Sequence, residues 1–166
     1  MSDQRPRRSR SPVTPATRML ASAGISYTVH AYHHDAQTTD YGAEAAAELC
    51  VDPGRLFKTL VCETGGGMVV AVVPVAGRLD TKALAAQLGV KTVDLAQPSA
   101  ATRSTGYVVG GISPIGQRSR LPTVLDASAL DHELIMVSAG RRGLQVELAP
   151  ADLLRATAGS SAWIAR

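Results

Sequence analysis

Apolar and polar positions along this chain follow two different periods, and each switch between them marks an element boundary. Thr14-Pro15 offers a capping hydroxyl followed by proline at a first helical position; Met19 and Leu20 carry the apolar stripe and Gly24 stops it. Over residues 25–33 the period falls to two, with Tyr27, Val29 and Ala31 on one face and Thr28, His30 and Tyr32 on the other, which predicts a strand. Residues 41–50 are rich in Ala and Glu and predict a helix that Asp52-Pro53-Gly54 ends. Residues 56–63 and 68–75 flank three glycines and predict a hairpin. Asp80 caps a helix through Leu88 that Gly89 closes, residues 91–95 predict a short strand, and residues 98–103 a helical turn. Beyond a glycine-rich loop, residues 123–125, 134–138 and 144–148 predict strands, the last two joined by Arg141-Arg142-Gly143; Pro150 opens a last helix to Ala158. There is no internal repeat and no regular βαβ alternation. The pattern predicts one α+β domain over residues 13–166.

Composition narrows this little. The 166 residues are 45% hydrophobic and 19% charged, enough for a real core and unlike a disordered chain. Charge matters through its location. Residues 1–12 hold Arg5, Arg7, Arg8 and Arg10 against Asp3, and read as a disordered basic arm. The remaining chain holds 13 basic and 13 acidic residues, so the net charge of +3 belongs to the arm, and RNA binding by the body needs a local patch. No apolar run reaches the length of a membrane span, and the basic start lacks a leader's apolar segment. Cys50 and Cys62 fit no metal or redox spacing and read as buried structural residues, so the expected compartment is the reducing cytosol.

Lys58 is the most informative single residue. It is one of three lysines against 14 arginines, and it interrupts an apolar strand. A cation there either snorkels out at the strand end or stands at the mouth of a pocket, aimed at an anionic or developing oxyanion group. The second feature is Gly106-Tyr107-Val108-Val109-Gly110-Gly111-Ile112-Ser113-Pro114-Ile115-Gly116. It is neither a Walker loop nor a dinucleotide fingerprint; its backbone either cradles a ligand oxygen or simply turns tightly. His30, His33 and His34 lack the partners of a metal site, and no Ser–His or Cys–His pair is evident. Arg103, Arg118, Arg120, Arg141 and Arg142 flank the glycine-rich loop and a later turn, as a phosphate-contacting rim or a solvated edge.

Taken together, Phe57-Lys58-Thr59-Leu60, Val72-Val73-Pro74-Val75-Ala76-Gly77, the run from Arg103 to Pro114, Leu121-Pro122-Thr123 and Val137-Ser138-Ala139-Gly140-Arg141-Arg142-Gly143-Leu144 resemble the YbaK-type aminoacyl-tRNA editing proteins. The resemblance covers residues 14–158. It implies a mixed, partly barrel-like sheet wrapped by helices, and a trans-editing deacylase in the cytoplasm that removes cysteine from Cys-tRNA(Pro). It also implies the acceptor end of an aminoacyl-tRNA as ligand, prolyl-tRNA synthetase as a working partner, and neither metal nor cofactor. In the subgroup that removes cysteine, the substrate's own thiol attacks its ester. Lys58 matches the family's essential lysine. Gly110, Gly111, Ile112, Ser113 and Pro114 match the loop beside the aminoacyl carbonyl, while Tyr32, Tyr41, Thr59 and Ser138 fall at pocket positions. Gln145 stands where the family often has an acid, which leaves amino-acid preference open. The alternatives are a water-using deacylase of alanyl or another small aminoacyl-tRNA, and a non-catalytic tRNA- or synthetase-binding module.

Overall fold

The computed structural model describes residues 11–166, so the predicted arm falls almost wholly outside the described residues. Helix α1 (Pro15–Ser22) starts where Thr14 accepts from the Thr17 N–H. The Thr14 hydroxyl also donates to the Ala139 carbonyl, 2.5 Å away, which ties the helix start to a distant strand. Strand β1 (Thr28–Ala31) is shorter than predicted. Its expected first residue, Ile25, instead closes α1 by donating to the Leu20 carbonyl, and its side chain is buried. Helix α2 (Tyr41–Glu48) is capped by Asp40. It ends sooner than the Ala-rich pattern suggests, because Cys50 takes a left-handed φ of +53°. Cys50 is consequently exposed, contrary to expectation, whereas Cys62 is buried.

The β2 (Phe57–Thr64) and β3 (Gly67–Pro74) hairpin forms as predicted, in a continuous antiparallel register from Phe57 opposite Pro74 to Thr64 opposite Gly67. Helix α3 (Thr81–Leu88) runs between an Asp80 cap and left-handed Gly89. A two-residue strand, β4 (Asp94–Leu95), then leads to α4 (Pro98–Thr105), a full helix where only a turn was expected. Strand β5 (Thr123–Asp126), a 3₁₀ turn at Ala127–Asp131, strands β6 (Ile135–Arg141) and β7 (Leu144–Leu148), and helix α5 (Pro150–Thr157) follow. The chain closes with β8 (Ser160–Ala162), which its short polar sequence does not announce.

The result is a single mixed α+β domain in which the strands divide between two sheets, neither closed into a barrel. One is antiparallel in the order β1-β7-β6; the other is β4-β2-β3-β5-β8, with β3, β5 and β8 parallel. A parallel bridge between Leu56 and Met136 joins them. Alternation along β2 explains how both faces are covered. Phe57 and Val61 enter the core shared with β6 and β7, which includes Val137, Leu144 and Val146. Cys62 joins a second cluster with Val69, Ala71 and Leu84 beneath α3.

Candidate active site

The junction of the two sheets is where the fold leaves space. On one side β2 is paired with β3 along its whole length. On the other, β4 covers only Cys62 and Glu63, and the Ala96 amide reaches the Val61 carbonyl. The edge from Lys58 to Leu60 therefore has no strand beside it, and a cavity of about 290 Å³ opens along it. Leu56, Phe57, Lys58, Thr59, Leu60 and Val61 all line it. Tyr41 and Gly42 of α2, Val109, Gly110 and Ile112 of the glycine-rich loop, and Ser138 and Gln145 of the smaller sheet close it. Leu95, Ala96, Pro98 and Ala101 make an apolar shoulder.

Most of this wall is hydrocarbon, so its polar atoms stand out. Thr59 Oγ1 and Gln145 Oε1 are both buried and have no hydrogen-bond partner among the described residues. Gln145 is only 7% exposed. A buried acceptor left unpaired costs about 1–3 kcal/mol, which makes each a candidate for a ligand's donor. Gln145 faces Ser138 across the β6–β7 ladder. A register shift follows between Ser138 and Arg141, where Gly140 takes a φ of +101° and donates to Ser138 Oγ. A bulge of this kind bends its strand. Lys58 is half-buried where it lines the cavity, and its ammonium donates to the Gly77 carbonyl over 3.2 Å.

The glycine-rich loop owes its path to close packing. A Cβ on Gly110, whose φ is +88°, would lie 2.7 Å from the Tyr41 ring; one on Gly111 would lie 2.9 Å from the Arg142 amide nitrogen. Arg142 fixes the outer side, with Nε donating to the Val109 carbonyl and its guanidinium 4.9 Å from the Tyr41 ring centroid. Beneath the loop, the Tyr107 hydroxyl donates to the Ile115 carbonyl at 2.7 Å, and burial raises its pKa to about 12. Behind Tyr41, His34 Nδ1 lies 2.6 Å from Glu44 Oε1, and this hydrogen bond holds the Glu44 carboxyl below its ordinary pKa.

Of the residues singled out from sequence, Lys58, Thr59, Tyr41, Gly110, Ile112 and Ser138 come together at the cavity. Four do not line it. Tyr32 packs on the cluster of Ala45, Ala46, Leu56 and Met136. The Gly111 amide is engaged with the Val108 carbonyl, and Gly111 itself packs against the turn after β6. Ser113 is fully buried, its hydroxyl accepting from the Ile115 amide, and Pro114 borders a different depression beside Met19. The placement of Gln145 inside the wall, opposite Ser138, could be reached only through the pairing register. Among the described residues no carboxylate, imidazole or thiol lines the cavity. Cys62 lies outside it, its thiol pushed up to about 11 by burial. Among the described residues no His, Cys, Asp or Glu cluster suited to a metal occurs.

Residues 35–156 match the sequence profile of the aminoacyl-tRNA editing domain. The chain belongs to that family. It is 41% identical over 154 residues to the "Putative Cys-tRNA(Pro)/Cys-tRNA(Cys) deacylase EbsC" of Enterococcus faecalis, covering 91% of this chain and 92% of that protein. A second relative is a proline–tRNA ligase of Moorella thermoacetica, 35% identical over 79 residues, which are 45% of this chain and 14% of the ligase. Among solved structures, a "putative trans-editing enzyme for prolyl tRNA synthetase" shares the fold, with a TM-score of 0.81 at 24% identity over 93% of this chain and 99% of that one. The matched segment of the editing domain contains every residue of the cavity wall.

Proposed function

We propose that the cavity receives the aminoacyl group of a mischarged tRNA and that the protein deacylates it, with Cys-tRNA(Pro) as the preferred substrate. The observation that carries this reading is the pair of unpartnered buried oxygens, Thr59 Oγ1 and Gln145 Oε1, in an otherwise apolar cavity of about 290 Å³. That volume suits a small side chain, and the two acceptors suit the donors of an α-ammonium and a thiol. The name of the Enterococcus faecalis relative supports the cysteinyl substrate, and the likeness to part of a proline–tRNA ligase supports tRNA(Pro). A reaction of this kind takes place in the cytoplasm, with prolyl-tRNA synthetase as the natural partner. No helix among the described residues is long and apolar enough to cross a membrane.

The chemistry follows from what the wall lacks. With no imidazole, carboxylate or thiol lining the cavity among the described residues, none of these side chains is equipped to activate a serine or a water. The substrate's own thiol is the nucleophile. A C–S bond forms to the ester carbonyl, the bond to the ribose oxygen breaks, the thiol proton passes to that oxygen, and a β-thiolactone and tRNA leave. Holding sulfur and carbonyl in a near-attack geometry can supply an effective molarity of about 10⁵ M or more. In this scheme Lys58 stabilises negative charge on the ester or the adenosine end, while Gly110 and Ile112 confine the carbonyl. Gln145 offers a neutral acceptor. Water-driven hydrolysis of an alanyl ester is the second reading, and the absence of a base disfavours it.

A panel of Cys-, Ser- and Ala-tRNA separates these. Substrate-thiol chemistry predicts rapid release of cysteine with trapped thiolactone, and little release of serine, which differs by sulfur against oxygen. Equal rates for all three would eliminate it.

A further inference from the structure

We infer that an open groove beside the cavity, between Arg103 and Arg118, binds the phosphates of the single-stranded RNA end leading to the aminoacylated nucleotide. The inference rests on the editing reading and adds to it a backbone-binding site outside the pocket. The groove adjoins the cavity, since Pro98 and Val109 line both. Any polymer whose last residue enters the cavity must leave it over a neighbouring surface, and this one is chemically suited to phosphate. Ser99 and Thr102 line it with hydroxyls, and Arg103 and Arg118 add two guanidinium groups. Both arginines are exposed, and neither forms an ion pair among the described residues.

Their surroundings reinforce the charge. Residues 95–125 include Arg103, Arg118 and Arg120 and contain no Asp or Glu, in a chain whose remainder outside residues 1–12 is formally balanced. Arg118 is also positioned. Its guanidinium donates to the Arg103 carbonyl over 3.4 Å and lies over Gly106, where an added Cβ would come within 3.7 Å of it. Holding one guanidinium in place lowers the ordering cost of a phosphate contact. Contacts of this kind position a nucleic acid without reading its sequence.

The test uses the full chain and an uncharged, fluorescein-labelled RNA microhelix ending in single-stranded CCA, followed by anisotropy across a salt series. Arg103→Ala with Arg118→Ala should weaken binding about 10-fold at low salt and flatten the log–log salt slope by about 1.4, the value for two phosphates on a single strand. Arg155→Ala, which removes a cation on α5 paired with Asp152, should change neither. Wild-type affinity and slope in the double variant overturn the inference, as does an equal loss per charge in Arg155→Ala. Because the RNA carries no amino acid, these outcomes are independent of deacylation. RNA binding that behaves as expected in a protein that deacylates nothing would count against the proposed reaction and leave the groove standing. In a complementary arm, the double variant should keep wild-type kcat on Cys-tRNA with KM raised about 10-fold, and keep wild-type rates on cysteinyl-adenosine, which lacks the preceding phosphate. A matching loss on both substrates would show that the arginines serve the pocket or the fold instead.

Discussion

Two buried polar side chains, one in each sheet, have been treated in opposite ways by this fold. Asp126 ends β5 in the larger sheet at 2% exposure, and its carboxylate is fully employed. Oδ1 accepts from the Ile164 and Ala165 amides at 2.9 and 3.0 Å, and Oδ2 from the Ser128 amide and hydroxyl at 3.2 and 2.5 Å. It pins the C-terminal segment to the sheet. Gln145, at 7% exposure in the smaller sheet, has an oxygen that nothing among the described residues satisfies. A polar group in the first state contributes stability; one in the second costs stability until a ligand supplies the missing partner. The contrast marks Asp126 as architectural and Gln145 as a candidate for ligand contact.

The comparison is broken most severely at Asp126. Asp126→Ala strands three buried or half-buried amides, those of Ile164, Ala165 and Ser128, and should cost about 3 kcal/mol or more in urea unfolding, with activity lost only as the protein unfolds. A loss below about 1 kcal/mol would remove its architectural role. Lys58→Ala should do the reverse. Unfolding should shift by less than about 1 kcal/mol, since the side chain gives up a single half-buried bond, while deacylation falls by about 10²-fold or more. Normal turnover in that variant would move the reaction elsewhere.

Gln145→Leu sharpens the contrast further. Replacing an unsatisfied amide with an apolar group of similar size should leave stability unchanged or raise it by about 1 kcal/mol, while kcat/KM falls about 10-fold. A destabilised but fully active variant would place Gln145 with Asp126. The smallest effect concerns Glu147, two residues along β7 on the outer ladder. Its hydrogen bond from Arg55, 2.6 Å away, holds the carboxyl below its ordinary pKa of 4.5. The stabilisation is therefore present above that value and lost as pH falls through the lowered one. Glu147→Gln should cost about 1 kcal/mol at pH 7, and its deficit should shrink below pH 4.5; a deficit independent of pH would remove the ion pair from the account.

What the sequence disclosed follows the range of the forces involved. Thr14, Asp80, Pro150, Gly24 and Gly89 act on their own helix ends, so those boundaries were legible. The β2–β3 hairpin was legible for the same reason. The pairing of Thr28 with Glu147, and of Val124 with Ser160, joins segments far apart in sequence and carries no local signal. The division into two sheets and the presence of β8 thus stayed hidden. Lys58 and the glycine run announced themselves by chemistry out of keeping with their surroundings. That Thr59 and Gln145 hold unpaired oxygens in one hollow depends on the register of β2, β6 and β7 together, and no single stretch encodes it.

The central claim is that this hollow receives the aminoacyl group, and side-chain NMR tests it directly. The probe is 3′-deoxy-3′-cysteinylamido-adenosine, whose amide replaces the labile ester. Titrating it into labelled protein should shift the Gln145 side-chain amide and the backbone amides of Thr59, Gly110 and Ile112, and leave Ser128, Ile164 and Ala165 beside Asp126 in place. Saturable binding that moves residues elsewhere and leaves the Gln145 amide unmoved would contradict the account.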